Sequence, residues 1–166
     1  GAISIQIGYD ISFPEVSRLA VGMGAQMIFV PFCTDERYAY LRVRYCAQAR
    51  CVENHVFVAT AGTVGNLPHV DNMDIQYAQS GIYTPSDIPF TRDGIASEST
   101  PNIETVIIDD VDLELLKHHR QSGSLLNIRD MRKDLYQVRL IKAQGRGGGA
   151  ARRVEVSEDH GLAEGG

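Results

Sequence analysis

Residues 3–15 read Ile-Ser-Ile-Gln-Ile-Gly-Tyr-Asp-Ile-Ser-Phe-Pro-Glu, and this stretch decides the fold. Ile3, Ile5 and Ile7 alternate with Ser4 and Gln6, a period of two that predicts a buried strand. Pro14 and Glu15 suit the first turn of a helix: proline gives up an N–H that would lack an acceptor there, and a carboxylate favours the positive end of the helix dipole. Gly8 and Tyr9 therefore stand at a strand exit, in a tight turn that leads straight into a helix. Enzymes mount nucleophiles at such junctions.

Working outward, Val16, Leu19, Ala20 and Met23 recur at spacings of three and four, which predicts a helix over 14–24 stopped by Gly24. Residues 25–32, Ala-Gln-Met-Ile-Phe-Val-Pro-Phe, form a nearly continuous apolar run of the kind buried on both faces of a sheet. A strand-helix-strand unit of this length calls for a right-handed parallel crossover. The longest helix is expected over 35–54, with Leu41, Tyr45, Ala49 and Val52 on one face, and a strand follows at 56–61. This alternation argues for an α/β layered fold. Gly, Pro, Asn and Asp then punctuate the chain to residue 93. Strands are expected at 81–84, 95–99 and 103–109, with Asp93-Gly94 as a hairpin turn and a short helix at 113–120.

The 166 residues, 43% hydrophobic and 22% charged, are enough for one globular domain with a real core. That domain is assigned to 1–142. Residues 145–166 hold seven of the sixteen glycines, so 143–166 is read as a disordered Gly/Arg-rich tail, too poor in apolar groups to offset the entropy of ordering. A net charge of -5 gives no basic footprint for nucleic acid or for an anionic membrane surface, and neither partner is expected. No segment reaches the roughly 18 uninterrupted apolar residues of a membrane span. Cys33, Cys46 and Cys51 are odd in number and lack a Cys-x-x-Cys spacing, which fits a reducing cytoplasm better than a disulfide framework or a zinc site. The start at Gly1, with the strand following at once, suggests a fragment, a processed product or a cloning remnant.

The opening stretch resembles the nucleophile motif of the carbon-nitrogen hydrolase (nitrilase) superfamily, Ile-Cys-Tyr-Asp followed by Phe-Pro-Glu, except that position 8 carries glycine where the family has its cysteine. The resemblance continues through Arg18-Leu19-Ala20 and Gly24-Ala25-Gln26. Arg50-Cys51-Val52-Glu53-Asn54 is similar to the family's Arg-Ala-x-Glu-Asn signature, and Ser80, Pro85 and Gly94 match its later hairpin. Residues 3–115 are covered in all. Asn72-Met73-Asp74-Ile75-Gln76-Tyr77-Ala78 looks most like a bacterial branch in which such a domain follows an acetyltransferase-like one.

The resemblance implies the C-terminal half of an α-β-β-α sandwich and a chemistry of Glu, Lys and Cys on small amides, carbamoyl compounds or nitriles. A thiolate in such a triad splits one hard hydrolysis into two easier steps. The family's glutamate and lysine lie many tens of residues before the cysteine, whereas only seven residues precede position 8 here, so both are expected to be missing from this chain. Gly8 has no side chain with which to attack, and the chain as given is expected to be inactive. Tyr9 offers its backbone N–H as an oxyanion donor. Phe32, Cys33 and Thr34, at the end of the second strand, are the candidate substrate-binding residues. The resemblance also implies a homodimer through the helices at 14–24 and 35–54, and the alternative function is a non-catalytic interaction module.

The remaining polar residues invite plainer readings. Asp10, just ahead of a helix, is expected to cap it. Cys46 and Cys51 read as small buried fillers, and Cys33 is a remote candidate for a replacement nucleophile. Glu53 is expected in an ion pair with Arg50 or Arg42. His118 and His119 are adjacent and diverge on a helix, while His55 and His69 have no partner at ligand spacing, so no metal is assigned and no cofactor is expected.

Overall fold

The computed structural model describes residues 1–71 and 75–141. Five strands form one sheet in chain order: β1 (Ala2–Ile5), β2 (Ala25–Phe32), β3 (Phe57–Gly62), β4 (Gly81–Tyr83) and β5 (Ile95–Glu98). β1, β2 and β3 run parallel, and β4 and β5 return antiparallel. A 3₁₀ turn (Gly8–Ser12) and helix α1 (Pro14–Gly22) connect β1 to β2, and helix α2 (Arg37–Asn54) connects β2 to β3. Two further helices, α3 (Leu113–Ser122) and α4 (Asn127–Asp130), follow the sheet. Among the described residues, no helix is long and apolar enough to cross a membrane. The Gly/Arg-rich segment at 143–166 lies outside the described residues.

The core sits between the helices and one face of the sheet. Ile28, Val30, Phe32 and Val58 project from that face and pack with Tyr40, Val43 and Ala47 of α2. Close approach of backbone to ring is built in at Gly62, where a Cβ would collide with the Ala78 side chain and the Phe32 ring. Gly62→Ala is therefore expected to cost about 2 kcal/mol through overpacking, a fall in Tm of roughly 6 °C in a thermal melt. Gly22→Ala is its control, since no atom lies within 4 Å of a Cβ built there and alanine favours the helix.

Several expectations from sequence are corrected. β1 alternates as predicted, but Ile3, Ile5 and Ile7 are exposed, not buried. β2 is buried on one face only: Ile28, Val30 and Phe32 are inside, whereas Phe29 and Pro31 are exposed. The ladder registers place Ile3 beside Met27 and Ile5 beside Phe29, so these residues share the face turned away from the helices. That apolar face is open because nothing in the described chain covers it, and alternation alone does not say which side of a strand has a partner layer. On α1 the buried residues are Ser17, Ala20 and Val21, while Val16 and Met23 point outward. On α2 the inner face is Ala39, Tyr40, Val43, Ala47, Arg50, Cys51 and Asn54, and Tyr45 and Val52 of the expected apolar stripe are exposed. Polar Arg50, Asn54 and Ser17 occupy inner positions through hydrogen bonds that a hydrophobicity pattern cannot register. The expected strand at 103–109 is absent: this segment forms no ladder, and Val106 and Ile108 are almost fully exposed. A β-prone composition needs a sheet edge to pair with, and this segment takes none.

Candidate functional site

β1 delivers its chain to the end of the sheet where the parallel strands terminate, and the backbone turns there at Gly8 with φ of 48°. This is the left-handed region that glycine enters without penalty. A Cβ at Gly8 would meet nothing within 4 Å, so the position faces open space. The turn is held locally by Asp10, whose Oδ2 accepts the Ile7 N–H at 3.0 Å, and by the Phe13 N–H donated to the Asp10 carbonyl at 3.1 Å. Asp10 thus closes the 3₁₀ turn instead of capping α1 as expected: the α1 N-cap is Phe13, which makes no side-chain cap hydrogen bond, because the extra turn sets Asp10 back from the helix start. Pro14 then opens α1. The Tyr9 ring is exposed and meets Phe13 edge-on at 5.0 Å, which leaves its main chain at the start of the 3₁₀ turn.

Two buried polar contacts fix the turn to the layer behind it. Ser17 Oγ donates to Gln6 Oε1 at 2.8 Å, joining α1 to the end of β1. Arg50, buried on α2, donates from Nε to the Ile11 carbonyl at 3.1 Å and from Nη2 to the Ser12 carbonyl at 3.4 Å. Its Nη1 pairs with Glu53 at 2.8 Å, the ion pair expected for that carboxylate. Asn54 closes the same helix by donating to the Arg50 carbonyl at 3.1 Å. Arg50, in the second motif, therefore serves the geometry of the first.

β2 ends beside β1, which brings Cys33 and Thr34 to the same end of the sheet as Gly8. Cys33 is exposed, and its thiol donates to Gln76 Oε1 at 2.7 Å; the Thr63 hydroxyl donates to the same oxygen at 2.7 Å. Thr34 Oγ1 donates to the Tyr77 carbonyl at 2.6 Å, and the Tyr77 N–H returns to the Thr34 carbonyl at 2.7 Å. Phe32 turns the other way, into the core, where its ring stacks on Tyr40 with 6.3 Å between centroids. Cys51 is fully buried, and burial pushes its thiol far above the ordinary range. A cavity of about 920 Å³ lies away from this end, between α1, α3 and the 128–138 segment, with Arg18, Arg120 and Lys133 on its walls.

At the opposite end of the sheet the fold gathers residues that linear spacing kept apart. His55 caps the C-terminus of α2 in the left-handed region (φ 46°), Asp87 lies in the connection between β4 and β5, and His119 lies on α3. His119 Nε2 and Asp87 Oδ2 are 2.8 Å apart, and the His55 and His119 rings lie 5.7 Å apart between centroids. The Ser124 hydroxyl, the His119 ring and the Ile88 N–H hold the Asp87 carboxyl well below the usual carboxylate range. Burial, then the neighbouring His119, pushes the His55 imidazole down. His118, next in sequence to His119, points to solvent.

A parallel strand-helix-strand unit, with a left-handed residue at the first strand's exit and an arginine from the second helix bracing the turn, defines an α/β layered fold. The carbon-nitrogen hydrolase family matches residues 1–121, and the chain belongs to that family. It is similar to a probable hydrolase, YhcX, of Bacillus subtilis (strain 168), at 58% identity over 142 residues, covering 86% of this chain and 28% of that protein. It is also similar to the N-carbamoylputrescine amidase of Arabidopsis thaliana, at 29% identity over 83% of this chain and 47% of that protein. Among solved structures, Saccharomyces cerevisiae Nit3, of branch 10 of the nitrilase superfamily, superimposes with a TM-score of 0.62 at 26% identity, over 79% of this chain and 45% of that one. The chain thus spans less than half the length of these relatives.

Proposed function

We propose that the chain is the C-terminal half of a carbon-nitrogen hydrolase sandwich whose family chemistry is cleavage of small amides, carbamoyl compounds or nitriles, and that it carries an empty nucleophile seat. The observation that carries this reading is Gly8: a left-handed residue at the strand exit, open in front and braced behind by Arg50. In this reading the Tyr9 N–H serves as oxyanion donor, and Cys33 and Thr34 border the substrate, with Phe32 supporting them from the core. A glycine cannot form the covalent intermediate, so the chain alone does not turn substrate over. The bacterial branch with an acetyltransferase-like neighbour and a cytoplasmic setting belong to the same proposal. The test is ammonia release from an N-carbamoyl amine and an ω-amide by the purified chain. No saturable release is expected, and saturable release that survives Cys33→Ala would overturn the reading.

A second reading, an interaction module, draws on the exposed apolar residues on both sides of the layer. Ile3, Ile5, Phe29 and Pro31 lie on the open sheet face, and Val16, Tyr45 and Val52 on the outer side of the helices. Apolar groups contiguous over a sheet face mark a surface that associates. The sheet face suits the missing sandwich layer, and the helix face suits a second copy across a two-fold axis. Sedimentation is expected to find the isolated chain self-associated. Ile5→Glu with Phe29→Glu should abolish the larger species, and Tyr45→Glu should weaken the dimer that remains. A well-behaved monomer before any substitution counts against this reading.

A further inference from the structure

We propose that His55, Asp87 and His119 form a binding site for one divalent transition-metal ion of the zinc class, at the end of the sheet opposite Gly8. One ligating atom from each residue lies within 4.8 Å of the other two. A tetrahedral zinc ion, bound at about 2.0–2.2 Å, needs its ligand atoms roughly 3.3 Å apart. The 2.8 Å His119–Asp87 pair must therefore open slightly while His55 moves in, adjustments within reach of side-chain rotation. Two imidazoles and one carboxylate suit zinc, cobalt or nickel, and exclude the all-oxygen preference of calcium and magnesium.

The surroundings fit that chemistry. Both imidazoles are buried, and Phe90 closes over His119 edge-on at 5.2 Å. Asp87 Oδ1 accepts from the Ser124 hydroxyl and the Ile88 N–H, which leaves Oδ2 for the imidazole side. Carboxylates that bind metals are oriented by such outer hydrogen bonds. A neighbouring cation, Arg120, is committed through Nε to the His55 carbonyl at 2.8 Å and through Nη2 to the Ala25 carbonyl at 3.1 Å. At His55 the charge of Asp87 opposes that of Arg120, so binding of moderate affinity is expected.

The position assigns a structural role. His55 lies just before β3, whose parallel direction carries the chain away from this site towards the end where Gly8 and Cys33 stand. An ion here would fasten the α2–β3 junction, the β4–β5 connection and α3, three segments distant in sequence. The native chain, stripped with chelator, is titrated with Zn²⁺ by calorimetry and melted with and without the ion. One ion per chain and a rise in Tm of about 5 °C are expected. Substituted Co²⁺ should give visible ligand-field bands without a thiolate charge-transfer band. His55→Asn, which tolerates the left-handed backbone, combined with His119→Gln should weaken binding at least about tenfold and remove the rise in Tm. If that variant does not fold, histidine ring NMR of the native chain decides: zinc must shift the His55 and His119 rings and leave His69 and His118 unmoved. The proposal is overturned by a lack of saturable binding at submillimolar Zn²⁺, by binding unchanged in the double variant, or by shifts confined to other histidines.

Discussion

Gly8→Cys, supplied with the N-terminal half of an intact relative, is expected to trap an acyl adduct on the introduced thiol that the native chain never forms. The backbone is already placed for it. A Cβ at position 8 meets no atom within 4 Å, at the end of the sheet beside Cys33 and Thr34. The cost is conformational: a non-glycine residue at φ of 48° is strained by about 1 kcal/mol, because its Cβ crowds the backbone in the left-handed region. Gly8→Ala carries the same strain without the thiol and serves as the control for both stability and chemistry. Removal of a catalytic nucleophile in a hydrolase lowers kcat by about 10⁶-fold, so restoring one in a complete site is expected to raise turnover by several orders of magnitude. Mass spectrometry after incubation with an N-carbamoyl amine reads the adduct directly. If no adduct forms where the intact relative forms one, position 8 is not the nucleophile seat.

The sequence exposes the parts of this architecture that depend on local order. The run 25–32 matches β2 residue for residue, and the turn at Gly8 and Pro14 falls where the pattern places the strand exit and helix start. Local chemistry carries those signals: β-branched alternation, a proline at the first helical position, a glycine in the left-handed region. What escapes it depends on which surfaces meet. Ile3 and Ile5 pattern as core but lie on an open face, and the stripe Tyr45–Val52 looks inward in sequence yet turns outward. Amphipathic patterns report that a face is apolar, not which layer covers it. The same limit explains the histidines. His55 and His119 come from different elements and meet Asp87 only because α3 folds back to the start of β3, where Arg120 reaches the main chain of His55 and Ala25. No spacing rule along the chain encodes that return.

Arg50→Ala is expected to be the most destabilising single substitution among the polar residues that position the site. Arg50 is buried on α2, and its guanidinium serves three acceptors: the carbonyls of Ile11 and Ser12, and the Glu53 carboxylate. Truncation to alanine leaves the two carbonyls without this donor, opens a void beneath the turn and frees Glu53. Charge-assisted hydrogen bonds are worth about 1.5–3 kcal/mol each when a partner is lost, but the two to carbonyls share one guanidinium and are not additive. Glu53 is substantially exposed, so its pairing adds little. A loss of about 3 kcal/mol follows, a fall in Tm of roughly 6–12 °C. Arg50→Lys keeps the charge but offers a point donor instead of a planar fork, and should recover only part of that loss. Glu53→Gln should cost under about 1 kcal/mol. The ordering Ala, Lys, Gln in denaturant midpoints distinguishes a guanidinium that braces the turn from one that merely forms a surface ion pair. Equal, small effects at all three would remove Arg50 as the strut behind Gly8. Because that strut fixes the turn to α2, Arg50→Ala introduced into the Gly8→Cys chain should also slow adduct formation by more than the loss of folded protein explains. That excess is measured as adduct rate per folded molecule at a temperature well below both transitions.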